Sequence, residues 1–478
     1  MRVSNILHNF ENAKKLTKGK MIAFATGDIC GGGAFNIINF LYPGFLVLVV
    51  GLPPYFAGIV IMIASLFDAA IDPIIGLFSD KLRVKYKTRR GSMFFSAPII
   101  LISLFIMFFP FSNESVMIRG AAALTSYMFF CLALSSFKIP YYSLSTELTE
   151  DYTDRGKLMS VRLAFSIVAS IICVAVPGII VDSFEGHTGF MVMSLIFGSI
   201  FMVCVLVTAL FAKEGIEPPT HTERFVFKDF ISPFKVKPFR QYLWMFLTCQ
   251  ITMAAMSALF FFYVEFYFVR DITATGETSM VGFIGAAIMF GMQVVALPFY
   301  MMMIKKRGKM FVYTLGSIIW VLSAMILLFM PAGSNAIWLY ILAAVMGFGI
   351  SGPGLIPHAI FPDIVDVGHL QFGDRRPGTF SGVANFFNTL AQAIGVGVVM
   401  AIIGAAGFME REPGAPPILA QPESAQTAIV FIMAFAPLIC MSLGIYISCK
   451  YKLTKENHTR VLEAIETGND RKSILKSL

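Results

Sequence analysis

Uninterrupted apolar runs of about 20 residues or more recur along nearly the whole chain, and that is the length an α-helix needs to cross a hydrocarbon core. Counted between charged or turn-rich breaks, the runs fall at 21–50, 52–79, 94–111, 117–146, 158–182, 188–211, 241–269, 279–303, 309–330, 336–362, 380–408 and 425–449, twelve in all. They are continuously apolar and do not alternate, which excludes a transmembrane β-barrel. A soluble domain is excluded too, because 57% of the 478 residues are hydrophobic and only 14% charged, against about 45–50% and 25% in ordinary globular chains. The expected fold class is an all-α membrane protein of twelve transmembrane helices.

Charge orders these spans. The net charge of +8 comes from 37 Lys and Arg against 29 Asp and Glu, with the basic residues in short connections. The stretch Lys81–Arg90 holds six of them, and Arg155/Lys157, Lys305/Lys306/Arg307/Lys309 and Arg375/Arg376 fall in loops on the same side. The alternate loops hold only Arg119, Arg270 and Arg411. By the positive-inside rule both termini are cytoplasmic, and the basic balance reports membrane orientation, with no nucleic-acid partner expected. The polar stretch 213–240 divides the chain six spans plus six: an N-terminal half 1–212, a cytoplasmic central loop, a C-terminal half 241–450 and a cytoplasmic tail 451–478. A faint echo links the halves, since span two runs into Asp80-Lys81 and Arg89-Arg90-Gly91 and span eight into Lys305-Lys306-Arg307-Gly308-Lys309. Two weakly similar halves are a common build of alternating-access carriers, with the substrate between them near the midplane. Filter-like loops or charged rings, which a channel would need, are missing from the sequence. So are a Walker motif, a zinc spacing and a nucleophile elbow, so neither an enzyme nor a bound cofactor is expected. Seven scattered cysteines suggest no disulfide framework. The basic N-terminus lacks a short apolar segment with a cleavage site and reads as a cytosolic lead-in.

Charges inside spans cost free energy and need a partner, a cavity or a function. They are Asp28, Asp68, Asp72, Lys138, Arg162 and Glu265, with Asp363 at a cytosolic end. At about 1.5 Å per residue, Asp28 lies roughly 12 Å from Lys20, Asp72 roughly 12 Å from Asp80 and Lys138 roughly 13 Å from Glu147, so three spans place two carboxylates and an ammonium at one depth. Asp68 and Asp72 share one helix face. Two such carboxylates cannot both ionise cheaply, so a cation, a proton or Lys138 must sit with them. The plain alternative is a structural ion pair between spans two and four.

The stretch Phe67-Asp68-Ala69-Ala70-Ile71-Asp72-Pro73 with Gly76 and Lys87-Thr88-Arg89-Arg90-Gly91 resembles the second-helix signature of the glycoside, pentoside and hexuronide cation symporters, the melibiose-permease group of the major facilitator superfamily. Gly27-Asp28, Ile139-Pro140-Tyr141-Tyr142-Ser143-Leu144 with Glu147, Asp154-Arg155, and Pro362-Asp363 with Asp366 match as well, and the similarity covers about residues 20–450. The resemblance implies cation-coupled uptake of a sugar or glycoside through the cell inner membrane by a monomer. It makes Asp68 and Asp72 the coupling site, with Ser135 nearby. It makes Asp28 and Arg162 partners of sugar hydroxyls and Tyr142 the ring against which a sugar packs. It makes Asp80, Arg89, Arg90 and Asp363 part of a cytosolic gate, although a topogenic positive loop explains the basic run equally.

Departures from the pattern matter. Melibiose permease has an Asn that helps bind sodium where this chain has Ile71, and the family's usual helix-eleven Lys is Thr389. The positive charge has moved to Lys138. A tethered ammonium beside Asp68 and Asp72 makes sodium less necessary, so H+ is expected ahead of Na+ as coupling ion. Lys138 with Arg162 also suits an anionic glycoside. His358 follows Pro357 where relatives commonly have Trp, and either bonds a sugar hydroxyl, carries a proton or packs against a neighbouring carbonyl. Glu265 reads as an outer-mouth residue, and Gly31-Gly32-Gly33 as a close-packing face or flexible point. The tail, with Thr454 as N-cap and Val461, Leu462 and Ile465 as an apolar stripe, reads as a short surface helix. The rival readings are a lysolipid-type carrier of the same superfamily and a non-transporting sugar sensor.

Overall fold

Helices are the only open-ended structures whose backbone satisfies itself in lipid, and the computed structural model is helical throughout its described residues, with twelve helices long and apolar enough to span a membrane. Described are residues 17–111, 113–148, 152–184, 187–212, 231–269, 280–373, 377–410, 421–467 and 471–477. The spans are α1 (Lys18–Gly44), α2 (Pro54–Tyr86), α3 (Arg90–Met107), α4 (Val116–Glu147), α5 (Tyr152–Asp182), α6 (Thr188–Phe211), α7 (Lys237–Tyr263), α8 (Met280–Arg307), α9 (Lys309–Ile326), α10 (Ala336–Phe372), α11 (Pro377–Ala405) and α12 (Glu423–Cys449). Two short helices follow, α13 (Lys455–Thr467) and α14 (Arg471–Ser477).

The chain groups into two units. The first comprises Met1–Leu52 and Ile63–Glu223 with Arg411–Ala415; the second comprises Pro53–Met62, Arg224–Glu410 and Pro416–Leu478. Most of the expected 213–240 loop lies outside the described residues. The first turns of α2 group with the second unit, where Gly58 brings the backbone against α11: a Cβ there would meet Met400 Cβ at 2.7 Å.

Within unit 1, α1 packs along α5 and α6, and α3 along α4 and α6. The Gly31–Gly33 run is a packing face, since a Cβ on Gly32 would meet Ser166 Oγ at 2.4 Å and one on Gly33 would meet Cys173 Sγ at 2.7 Å, both on α5. Small residues let helix backbones approach where lipid supplies no hydrophobic drive between them. In unit 2, α7 packs along α11 and α12, α9 along α10 and α12, and α8 along α10. Trp320 is fully buried and its Nε1 donates to Met256 Sδ at 3.2 Å. The internal echo recurs in the backbone: α1 and α7 are each 27 residues long, and each widens into a π-helix, Phe45–Val49 and Val264–Val269.

Two boundaries differ from expectation. α2 does not stop at 79 but runs to Tyr86, because Lys81, Arg83 and Lys85 are good helix formers. It ends where Lys87 turns left-handed (φ 58°) and its carbonyl accepts from the buried Arg83 guanidinium. α10 does not stop at Pro362 but continues to Phe372 with three internal prolines, Pro353, Pro357 and Pro362. Packing neighbours tolerate proline inside membrane helices, and the helix ends at Gly373 in the left-handed conformation that glycine adopts freely. The tail helix α13 does start at Thr454, whose Oγ1 accepts from Asn457 N at 3.3 Å, but it is docked and not merely superficial. Val461 is fully buried, His458 Nε2 pairs with Asp366 Oδ2 of α10 at 3.2 Å, and Arg471 of α14 donates to the Gln371 carbonyl at 2.6 Å.

Candidate functional site

Unit 1 gathers its mid-span charges into two neighbouring groups. On α2, Asp68 and Asp72 sit one turn apart and face Ser135 and Lys138, themselves one turn apart on α4. Ser135 Oγ lies 3.0 Å from Asp68 Oδ1 and 2.5 Å from Asp72 Oδ1. Lys138 Nζ lies 3.9 Å from Asp68 Oδ2 and 3.7 Å from Asp72 Oδ2, and 4.8 Å from the centre of the Phe35 ring of α1. The Asp68 side chain is 5% exposed and that of Asp72 25%, so one carboxylate is sealed and the other is reachable. The shorter serine contact has the length of a charge-assisted O–H···O⁻ bond.

The second group joins α1 to α5. Arg162 Nε stands 3.2 Å from Asp28 Oδ1, and the Asp28 side chain is only 4% exposed. That oxygen makes no hydrogen bond among the described residues. The Arg162 guanidinium lies over the Tyr142 ring at 4.7 Å and over that of Tyr141 at 5.6 Å. Tyr142 is exposed, so the expected sugar-stacking ring has one face taken by Arg162. Tyr141, which the sequence does not single out, is fully buried, stacked on Phe24 and Phe137, and donates to the Phe24 carbonyl at 3.1 Å. Gly27 makes room for it: a Cβ there would meet the Tyr141 ring at 2.7 Å.

Among the described residues of unit 1, three carboxylates thus meet two cations in the spans. Each of these charges costs about 2.5–3.5 kcal/mol at the centre of an isolated helix, and mutual pairing offsets that cost. The oxygens of Asp68, Asp72 and Ser135 lie close together, and Lys138 already supplies positive charge beside them. Ile71 adds no oxygen to this set.

The remaining candidates lie elsewhere. Arg89 is buried and donates to Ser79 Oγ at 3.0 Å, and Arg90 donates to the Ala209 carbonyl at 3.1 Å, where cations favour the C-terminal carbonyls of α6. The side chain of Asp80 lies outside the described residues, as do those of Glu147, Asp154 and Arg155 and all of Arg375 and Arg376. In unit 2, Asp363 pairs with Lys309, which also donates to the Ala359 carbonyl at 3.0 Å. His358 is exposed, with the Phe246 ring edge-on at 5.9 Å. Glu265 is buried at the π-turn after α7, whereas the sequence predicts a snorkelling outer-mouth residue.

Unit 2 also holds a cluster that the sequence reading misses. Gln250 of α7 and Gln392 of α11 both donate to Asn388 Oδ1, at 2.6 and 3.2 Å. The i, i+4 spacing of Asn388 and Gln392 within an apolar span is the one sequence signal for it.

Comparison with known proteins bears on the whole chain. The profile of the family described as MFS/sugar transport protein matches residues 23–455. An uncharacterised symporter of Synechocystis is 26% identical, with 97% of this chain and 99% of that protein covered. An Escherichia coli protein provisionally named a sulfoquinovose importer is 24% identical, with 96% and 95% covered. A sodium-dependent lysophosphatidylcholine symporter of Xenopus tropicalis is 23% identical, with 95% and 90% covered. The crystal structure of a POT family transporter in complex with 5-aminolevulinic acid superposes with a TM-score of 0.65 at 13% identity, covering 91% of this chain and 97% of that one.

Proposed function

We propose, from the premise that this chain belongs to the MFS/sugar transport protein family and is a multi-pass membrane symporter of the major facilitator superfamily, that it takes up a neutral glycoside or pentoside with one proton. The observation that carries the coupling ion is Ser135 between two carboxylates. A hydroxyl has one hydrogen to donate. Its contact with Asp72 at 2.5 Å uses that hydrogen, so the contact with Asp68 at 3.0 Å is attractive when Asp68 brings a proton of its own. With Lys138 as a fixed cation, one proton brings the whole group to neutrality, and no sodium is needed. The sodium dependence named for the lysophosphatidylcholine relative is the alternative that the experiment below excludes or accepts.

The same count favours a neutral cargo. Asp28 and Arg162 balance each other, so protonation of the Asp68/Asp72 pair leaves the spans of unit 1 uncharged. An uncharged, filled site is cheap to occlude in lipid, whereas a half-filled one is not, and that difference couples the two cargoes by alternating access. Asp28 accepts from a sugar hydroxyl and Arg162 donates to another. A hexuronide is the second reading. It is favoured by Arg162 Nη1, whose contact among the described residues is Met159 Sδ at 4.0 Å, leaving the guanidinium edge able to take a carboxylate. Both termini are assigned to the cytoplasm and the working unit to a monomer in the cell inner membrane.

The test is the external pH of lightly buffered, de-energised cells as neutral glycosides, pentosides and uronides are added, with and without sodium. Alkalinisation by one neutral class, larger from a lower starting pH and indifferent to sodium, is the expected result. Transport by Lys138→Asn should become sodium-stimulated. Silence across the panel, followed by sodium-driven isotope uptake, overturns the proton assignment; silence in both assays overturns the sugar and leaves a lysolipid cargo to be assayed.

A further inference from the structure

The two units use the same helix pair, first against fifth, in different chemistry. In unit 1, α1 and α5 are joined by Asp28 and Arg162. In unit 2, α7 and α11 pack in the same way and are joined by Gln250, Asn388 and Gln392. Gln250 lies about 20 Å along α7 from Lys237, and Asn388 about 17 Å along α11 from Pro377, so both sit near the middle of their helices.

The hydrogen-bond inventory of this trio is unbalanced. A carbonyl oxygen accepts two hydrogen bonds, and Asn388 Oδ1 receives both, one from each glutamine. In this arrangement Oδ1 of Asn388 faces the glutamines and Nδ2 faces away from them. Left without a protein partner among the described residues are Asn388 Nδ2, Gln250 Oε1 and Gln392 Oε1. None of the three is a fully enclosed atom, and all three residues are half-buried. One donor and two acceptors remain reachable at mid-span, where water is scarce and an amide without a partner costs free energy. Phe246, one turn from Gln250 on the same face of α7, meets His358 edge-on.

We propose that Gln250, Asn388 and Gln392 form a second, uncharged subsite that recognises a pair of adjacent hydroxyls on the cargo. A vicinal diol supplies the complement: one oxygen accepts from Asn388 Nδ2 while a neighbouring hydroxyl donates to Gln250 Oε1 or Gln392 Oε1. The trio carries no charge, so it selects among polyols without altering the coupling ion. The assignment rests on the reading above that the cargo is a glycoside.

The test is counterflow in proteoliposomes, comparing a transported glycoside with its set of monodeoxy analogues in the wild-type protein and in Asn388→Leu. The wild-type protein should discriminate against the analogues lacking either of two adjacent hydroxyls by about tenfold in KM, the scale of one well-placed hydrogen bond. Asn388→Leu should raise KM for the parent by about that factor and handle the analogue lacking the hydroxyl that accepts from Asn388 as well as the parent, with kcat and pH dependence unchanged. Gln392→Met, which removes one acceptor and keeps the volume, should relax selectivity at one hydroxyl only, and it carries the test if Asn388→Leu does not reach the membrane. Unaltered selectivity in a well-inserted variant, or an equal fall in kcat for every substrate, overturns the subsite and leaves the symport reading intact. A wild-type protein that exchanges no glycoside overturns both.

Discussion

The helix pair α1 and α5 crosses its contact with an ion pair, and α7 and α11 cross theirs with neutral amides. Among the described residues, charges near the middle of a span lie in unit 1; in unit 2, Glu265 is buried in the π-turn that follows α7, and Asp363 of α10 meets Lys309 at the first residue of α9. On the proposed reading the contrast is a division of labour: charge, expensive in lipid, lies where an ion would be bound and released, and amides lie where hydroxyl pattern alone would be read.

The largest effect should come from neutralising the ion group. Asp68→Asn or Asp72→Asn should abolish accumulation against a gradient while counterflow persists, and counterflow together with proton-coupled uptake measures both. If Asn388→Leu abolishes accumulation as completely, the division between units is wrong. Next, Arg162→Leu strands Asp28, whose side chain is buried; breaking such a pair costs about 3–5 kcal/mol, and KM should rise about a hundredfold or the protein should fail to insert. Arg162→Lys, which keeps the charge but loses the planar fork, should recover part of this.

Smaller effects sharpen the packing half of the comparison. Gly33→Ala brings a Cβ within 2.7 Å of Cys173 Sγ, a thiol that can rotate aside, whereas Gly395→Ala meets the Ile251 carbonyl of α7 at 2.8 Å and cannot be accommodated without moving a helix. Overpacking costs about 1–3 kcal/mol, so both should lower the melting temperature in detergent, Gly395→Ala the more. Smallest of all, Lys309→Ala removes a part-exposed pair with Asp363, worth at most about 1 kcal/mol. Its melting temperature should shift by a degree or two, with uptake near wild type.

The spans and the ion group were legible because both rest on coarse signals. A run of 20 apolar residues has few other uses, and Asp68, Asp72 or Lys138 stands out inside one. Family resemblance then supplied roles that spacing alone left open. Pro362 misled because proline ends helices in water, where freed carbonyls find solvent, but not where a packed neighbour replaces it. The run 81–90 misled because a basic helix end and a basic loop have the same composition. Gln250 and Asn388 were hidden for another reason: an uncharged polar residue in a span is commonplace, and these two lie far apart in the chain. The burial of Tyr141 and the two π-turns leave no mark in sequence, since any aromatic fills a core and a wide turn needs no particular residue type.

The count of three carboxylates against two cations among the described mid-span residues of unit 1 has an electrical consequence. On the proposed cycle the filled site is neutral and the empty one carries a single negative charge. The membrane voltage, negative inside, therefore does little to the inward step and acts on the return of the empty carrier, driving it outward by as much as about 2.3 kcal/mol per 100 mV if the charge traverses the whole field. A cell that hyperpolarises would then speed uptake by hastening the carrier's reset, without touching its affinity for sugar.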